Sequence, residues 1–334
     1  MSVKANAISV KAIRTASKIV DMILITVILF LIAVFAYALW DSNQVYSQAD
    51  NSNYEIYKPT AENQGKTFQE LQAINPEVFA WLTVYGTHVD YPLTHGQDNL
   101  KYLNTDAEGR YSLTGSIFLD YKNSESFTDF NNILYGHHMD KDKMFGDIGS
   151  FEDQSVFESH KYGNLYFDGK DHGIEFFTFD QCDGYDLSVF TANVTGEQRQ
   201  QAYLDGLLNK AIFKRDIGVT IADRIVLLST CSEVSTNGRD ILVGVITDET
   251  YKDPFPAAEV IKNGQTPHGV DSQSGILEKI PRDQLVLFTL VILLAAAIIA
   301  LSILDRRRRR RSRRNRDTKK TNGEVRAYEQ IMGN

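Results

Sequence analysis

Hydrophobic and polar positions divide this chain into contrasting stretches. Met22 to Trp40 is an apolar run of nineteen residues, and Leu285 to Leu304 is another of twenty. At about 1.5 Å of rise per residue, each is long enough as a helix to cross a hydrocarbon core of about 30 Å. Between them the pattern is shorter and more broken. Residues 41–66 are rich in Asn, Ser, Gln and Asp with few aliphatics, too little apolar surface to fold alone, and this predicts a tether. Thr67-x-x-Glu70 reads as a capping box that opens a short helix stopping before Asn75-Pro76. Beyond it come strand-like pieces at 78–84, 88–93, 115–121, 130–136, 164–168, 174–180, 186–193, 224–230 and 240–247, separated by Gly, Asn and Asp. One long helical pattern interrupts them, at 197–213, where Ala202, Leu204, Leu207, Leu208, Ala211 and Ile212 form an apolar stripe. Many short strands with one interposed helix predict a mainly β domain, a barrel or sandwich, over 67–250. Residues 251–284 predict a return linker to the second run.

Charge gives the apolar runs a direction. Residues 1–18 carry four basic groups and no acid, and 305–334 carry twelve basic and four acidic, including the arginines 306 to 311. The stretch 41–284 holds 19 basic and 38 acidic residues, against a net charge of -8 for the 334-residue chain. The positive-inside rule therefore predicts spans at 19–40 and 285–304, both termini in the cytoplasm, and an extracellular domain between them. Ala36-Tyr37-Ala38 resembles the end of a cleaved leader, but the run exceeds the about 7–15 apolar residues of such a segment, so a retained anchor is expected. The arginine cluster abuts an apolar 20-mer and reads as a stop-transfer signal in contact with membrane lipid, with no nucleic-acid partner.

Two cysteines exclude a disulfide scaffold and lack the spacing of a structural zinc site. Cys231 ends the apolar run that starts at Arg224, where a thiol is anchored by a strand yet exposed at its rim; a small buried hydrophobe is the competing reading. Arg239 opens the next strand across a seven-residue loop, which sets a guanidinium beside the thiol, able to favour thiolate and to hold a developing oxyanion. An arginine paired to a surface carboxylate is the alternative. The strand around Asn131 to Tyr135 ends in Gly136, His137 and His138. Alternation lets only one of these histidines face the thiol, where an imidazole serves as acid and base. As a metal pair they are badly spaced, and no metal or cofactor is expected. Cys182 is expected to be a free, structural thiol, and His88, His95, His160, His172 and His268 to be surface groups.

Leu228-Ser-Thr-Cys231, Arg239 and Tyr135-Gly-His137, together with Ile74–Trp81, Asp90-Tyr-Pro-Leu93, Gly115–Tyr121 and Met144-Phe-Gly146, resemble the sortase family, class B, over about residues 67–247. The resemblance implies an eight-stranded sortase β-barrel with short helices, here flanked by two transmembrane helices. It also implies a cysteine transpeptidase of Gram-positive cell surfaces in which Cys231 is the nucleophile, His137 the acid/base and Arg239 the group that positions substrate and oxyanion. Ser229, Thr230 and Glu233 are further substrate-binding candidates. Implied partners are surface proteins or pilins with a C-terminal sorting signal, and an amine acceptor from a pilin lysine or a peptidoglycan cross-bridge. The helix at 197–213 resembles the class B insertion between the sixth and seventh strands. Two features depart from the pattern. Leu227 stands where the family has Thr, at a strand position expected to face inward, and the second span is more familiar in pilus-polymerising sortases. Those of class C carry an Asp-Pro-aromatic lid before the barrel, which 41–66 lacks; Asp253-Pro-Phe255 lies after Arg239. A non-catalytic surface adhesin with two anchors is the reading from a different class, and hydrolysis by water a third.

Overall fold

A computed structural model describes residues 2–60, 65–231 and 237–255. The chain divides into two units, one of residues 1–40 with 267–334 and one of residues 41–266. Helix α1, Ser2–Gln48, supplies the described part of the first. Within it Thr15–Gln48 is, among the described residues, the one helix long and apolar enough to cross a membrane, and its apolar side chains are exposed, Phe30 and Leu29 among them. The second expected span at 285–304, most of the linker and the basic tail lie outside the described residues.

The second unit is built on eight strands: β1 Val78–Val84, β2 Asp90–His95, β3 Ile117–Leu119, β4 Asn131–Tyr135, β5 Tyr162–Phe167, β6 Lys170–Asp183, β7 Arg224–Cys231 and β8 Gly238–Thr247. Neighbours run β8-β7-β4-β3-β2-β1-β5-β6, and β6 pairs back onto β8, so the sheet closes into a barrel. Only β2 with β3 and β4 with β7 are parallel. Closure removes sheet edges whose N–H and C=O groups would otherwise lack partners.

The barrel is apolar on two sides of its β4-β7-β8 wall. Val226, Leu228, Leu134 and Leu242 face the interior cluster with Trp81, Phe145 and Phe176. The alternate residues Ile225, Leu227, Ile133, Ile241 and Val243 face a second cluster beneath helix α4, Glu197–Lys210, which follows α2, Lys66–Ile74, and the short α3, Gln154–Ser159, in the chain; Tyr203, Leu204 and Leu207 of α4 are buried. A strand covered on both faces needs no polar alternation, which is why Ile225 to Leu228 is continuously apolar. It follows that Leu227 does not face inward: it lies on the outer face, under α4, where Leu supplies packing area.

Elsewhere the structure corrects local readings. Helix α2, Lys66–Ile74, starts one residue before Thr67, with Gly65 in the left-handed region at its N-cap, so no capping box forms, and the Thr67 hydroxyl lies 3.5 Å from the Lys58 carbonyl. The helical pattern at 197–213 ends at Lys210; Ala211–Lys214 turns into a short strand because the second half of β6 offers it a ladder at Thr178, Phe179 and Asp180. Residues 186–193 are no strand: Asp186 accepts from the Ser188 N–H and curls the segment, and Val189 and Ala192 are buried beneath α4 without a ladder. Residues 41–58 are not a free tether. Helix α1 continues to Gln48, Ala49 and Tyr54 enter the main core, and Asp50 and Lys58 pair with Lys143 and Asp90 at 2.7 and 2.6 Å. Few aliphatics suffice where a packed surface already waits for them. Of the histidines expected at the surface, His160 and His172 are 4% and 1% exposed, stacked on Phe255 and Phe167; His268 lies outside the described residues.

Candidate active site

Three strand ends meet on one rim of the barrel. Cys231 is the last residue of β7 and is exposed, whereas the six residues before it are buried. Antiparallel pairing sets Cys231 directly opposite Arg239 on β8. Directly opposed residues share a face, with Cβ atoms about 4.5–5.5 Å apart, so the sulfur and the base of the arginine are neighbours by register. On the other flank β4 runs parallel to β7, Ser229 beside Tyr135, and the Gly136 N–H donates to the Ser229 carbonyl at 3.1 Å. One residue further along, His137 arrives at the level of Cys231. Gly136 has to be glycine, since a Cβ there would come within 2.6 Å of the Phe145 ring.

Alternation sorts the two histidines. Ile133 and Tyr135 lie on the outer face with Leu227, and the period of two carries that face on to His137. The His137 Nε2 donates to the Leu103 carbonyl at 2.8 Å. His138 belongs with the opposite set: a Cβ on Gly149 would lie 3.4 Å from an Asp240 carboxylate oxygen and 3.6 Å from the His138 ring.

Arg239 is half-buried, and its Nη1 donates to the Gly238 carbonyl at 3.0 Å. It makes no ion pair with a carboxylate among the described residues. Its guanidinium lies along Gly184, where a Cβ would stand 3.1 Å from Cζ. On the far side of Arg239, β6 places Cys182 opposite it. Both cysteines are free. Burial, then the Asp186 charge, push the Cys182 thiol up to about 11, so it stays protonated at neutral pH. Glu233 lies outside the described residues. Ser229 and Thr230 are each 2% exposed, and their hydroxyls are buried with no hydrogen-bond partner among the described residues.

Sequence reasoning missed several groups here. Tyr135 donates to Asp120 Oδ2 at 3.1 Å, stacks on Phe190 and packs against a tilted Phe118 ring, and its burial with the Asp120 charge pushes the phenol far above its ordinary range. The Leu103 carbonyl is main chain and carries no side-chain signal. A separate group, His88, Asp142 and Asp147, brings three ligand-type atoms within 4.8 Å of one another, with Asp147 3.0 Å from His88 Nδ1.

An exposed thiol flanked by a guanidinium and a fixed imidazole is equipped for nucleophilic acyl transfer. Comparison with known proteins points the same way. No family model matches the chain. Sortase B of Staphylococcus aureus is 30% identical over 250 residues, covering 68% of this chain and 95% of the relative. A mutant form of Clostridium perfringens sortase B is 32% identical with a TM-score of 0.56, covering 60% of this chain and 97% of the other. A Streptococcus pyogenes class B sortase involved in pilus biogenesis is 38% identical with a TM-score of 0.50, covering 55% and 99%.

Proposed function

The chain belongs to the sortase B family of cysteine transpeptidases, and from that premise we propose that Cys231 is its nucleophile, His137 its acid/base and Arg239 its oxyanion and substrate-positioning group. The Cys231 thiolate attacks the scissile carbonyl of a C-terminal sorting motif. Arg239, directly across the ladder, balances the negative oxygen that develops. The C–N bond breaks as imidazolium protonates the leaving amine, and a thioester remains on Cys231. An incoming amine then gives its proton to the imidazole and attacks the thioester, and the thiolate leaves.

The observation that carries this reading is the Cys231–Arg239 register at an open strand end, with a guanidinium that no described carboxylate neutralises. Family membership sets the non-catalytic adhesin aside. Sortases are cell-surface enzymes, and α1 fits an N-terminal membrane anchor. We further propose two spans with cytoplasmic termini, supported by the basic flanks of both apolar runs. For the acceptor, a pilin lysine is favoured over a peptidoglycan cross-bridge by the likeness to a class B sortase involved in pilus biogenesis.

Incubation with candidate sorting peptides is expected to add an acyl mass to the intact protein that hydroxylamine removes, and Cys231→Ala is expected to abolish both the adduct and amide ligation to an added amine. An adduct that persists in Cys231→Ala would sink the proposal. A ligated product with lysine-bearing pilin and none with wall peptide would fix the acceptor, and the reverse result would assign wall anchoring.

A further inference from the structure

The hydrogen bond between His137 and Leu103 has a consequence for the proton path. A carbonyl oxygen carries only lone pairs, so at 2.8 Å the facing Nε2 must hold the hydrogen. In the neutral ring that leaves Nδ1 as the nitrogen with a lone pair. We propose that the Leu103 carbonyl is the positioning group of His137, holding it as the Nε2–H tautomer so that each proton of the reaction passes through Nδ1. This rests on the reading of His137 as the acid/base and adds its orienting partner and its working nitrogen.

The carbonyl is itself held in place. Lys101–Leu103 form a single 3-10 turn in the long connection between β2 and β3. Tyr102 is wholly buried there: its hydroxyl donates to Glu77 Oε2 at 2.6 Å and accepts from Asn75 Nδ2 at 3.0 Å, and the Tyr102 carbonyl accepts from the Ser116 N–H at 3.0 Å. Gly115 presses against the same turn in the left-handed region at φ +59, and a Cβ there would lie 2.7 Å from the Leu103 oxygen. The main chain of His137 is fixed as well, its carbonyl accepting from the Phe145 N–H at 3.0 Å. Ring and carbonyl are thus anchored independently, one through β4 and Phe145, the other through the β2–β3 connection.

The bond serves every step. When the Cys231 S–H bond breaks, its proton goes to Nδ1 and the ring becomes imidazolium, with Nε2–H still on Leu103. A cation facing a carbonyl dipole is favourable, and the ring cannot flip to offer the wrong nitrogen. Nδ1 then gives its proton to the leaving amine and takes one from the incoming amine, so the cycle closes with no change at Nε2.

The test uses the full chain in lipid nanodiscs with 15N-labelled histidine, the His137 signals being identified by their loss in His137→Gln. At high pH the spectrum is expected to show the Nε2–H tautomer. A ring protonated at Nδ1, or a mixture of tautomers, would overturn the proposal. In Gly115→Ala, which displaces the Leu103 carbonyl, His137 is expected to become a tautomer mixture, with kcat for ligation falling roughly a hundredfold and KM changing by less than about twofold, the pattern of a misplaced reacting group. An unchanged tautomer in a folded Gly115→Ala protein, whatever its kcat, would refute it, and should that variant not fold, the spectrum of the parent chain decides alone. Full ligation activity in His137→Gln would instead end the acid/base reading and leave the tautomer assignment standing.

Discussion

Asp180 keeps one carboxyl oxygen without a partner among the described residues. Thr178 donates to its Oδ1 at 2.5 Å, whereas Oδ2 is buried and unpaired among the described residues, and the residue is 1% exposed. Burial pushes the carboxyl up to about 7, against about 3.9 for an unperturbed aspartate. Between those two values the folded chain holds a proton that the unfolded chain has released, so stability falls as pH rises across that window and levels off above it. Asp180→Asn, which keeps the shape and cannot ionise, is expected to remove this part of the decline, at most about 1.4 kcal/mol per pH unit. Urea titrations at about pH 5 and about pH 8 check it: parent and variant losing the same stability between the two would show that Asp180 does not carry the effect. The contrast with the rim shows what single residues reveal in a sequence. Cys231, Arg239 and His137 are legible because strand ends and short spacings fix where they stand. Asp180 sits in an apolar strand with nothing to mark it as protonated, and the groups that hold Tyr135 and His137, namely Asp120 and the Leu103 carbonyl, arrive through contacts distant in sequence.

At the scale of elements, α4 is what makes the outer face of the β4-β7-β8 wall a second core. Leu207 is 1% exposed and belongs to the cluster with Leu227 and Ile241, residues on β7, which ends at Cys231, and on β8, which carries Arg239 near its start. Leu207→Ala is expected to cost about 2–5 kcal/mol, the sum of lost transfer energy and the cavity left behind. A fall in kcat/KM should accompany it, because the two strands lose the packing that aligns their ends. Equilibrium unfolding beside ligation kinetics checks this, and a stability loss below about 1 kcal/mol would show that the helix is not packed against the wall. Strands and helices were legible to different degrees for a physical reason. The strand at 78–84 could be placed to the residue, because β-branched and aromatic residues ran up to clear turn-formers. The end of α4 could not, since Ala211 to Lys214 has an acceptable helical pattern and leaves the helix only because β6 presents an unpaired edge. The segment 186–193 misled in the opposite sense: its apolar residues do enter a core, but the side chain of Asp186 offers the backbone a turn in place of a ladder.

The whole molecule joins a membrane-type helix to a barrel, and its composition hides where one gives way to the other. Polar residues after Trp40 read as solvent-exposed chain, yet residues from Asp41 onward group with the barrel unit. Gln48 accepts from Ser112 at 3.3 Å, the Tyr91 hydroxyl donates to the Ala49 carbonyl at 2.8 Å, and Tyr54 is buried with Tyr91 in the main core. A short segment with so few aliphatics docks because its polar groups meet ready partners and Ala49 and Tyr54 meet a formed surface, a circumstance that composition cannot encode. The two boundaries then predict different outcomes on truncation. Removing residues 2–40 together with 267–334, and with them both proposed spans, is expected to give a soluble protein that unfolds near the parent temperature and still ligates peptides, while losing membrane retention. Removing residues 2–58 also strips Ala49 and Tyr54 from the core together with the Asp50–Lys143 and Lys58–Asp90 pairs. Burying a large side chain such as that of Tyr54 is worth about 1.5–3 kcal/mol and the methyl of Ala49 about 0.8 kcal/mol, so the longer deletion is expected to lower the unfolding temperature by several degrees or more. Thermal unfolding of the two truncated proteins side by side measures it, and equal stability would mean that the segment after Trp40 is a tether after all.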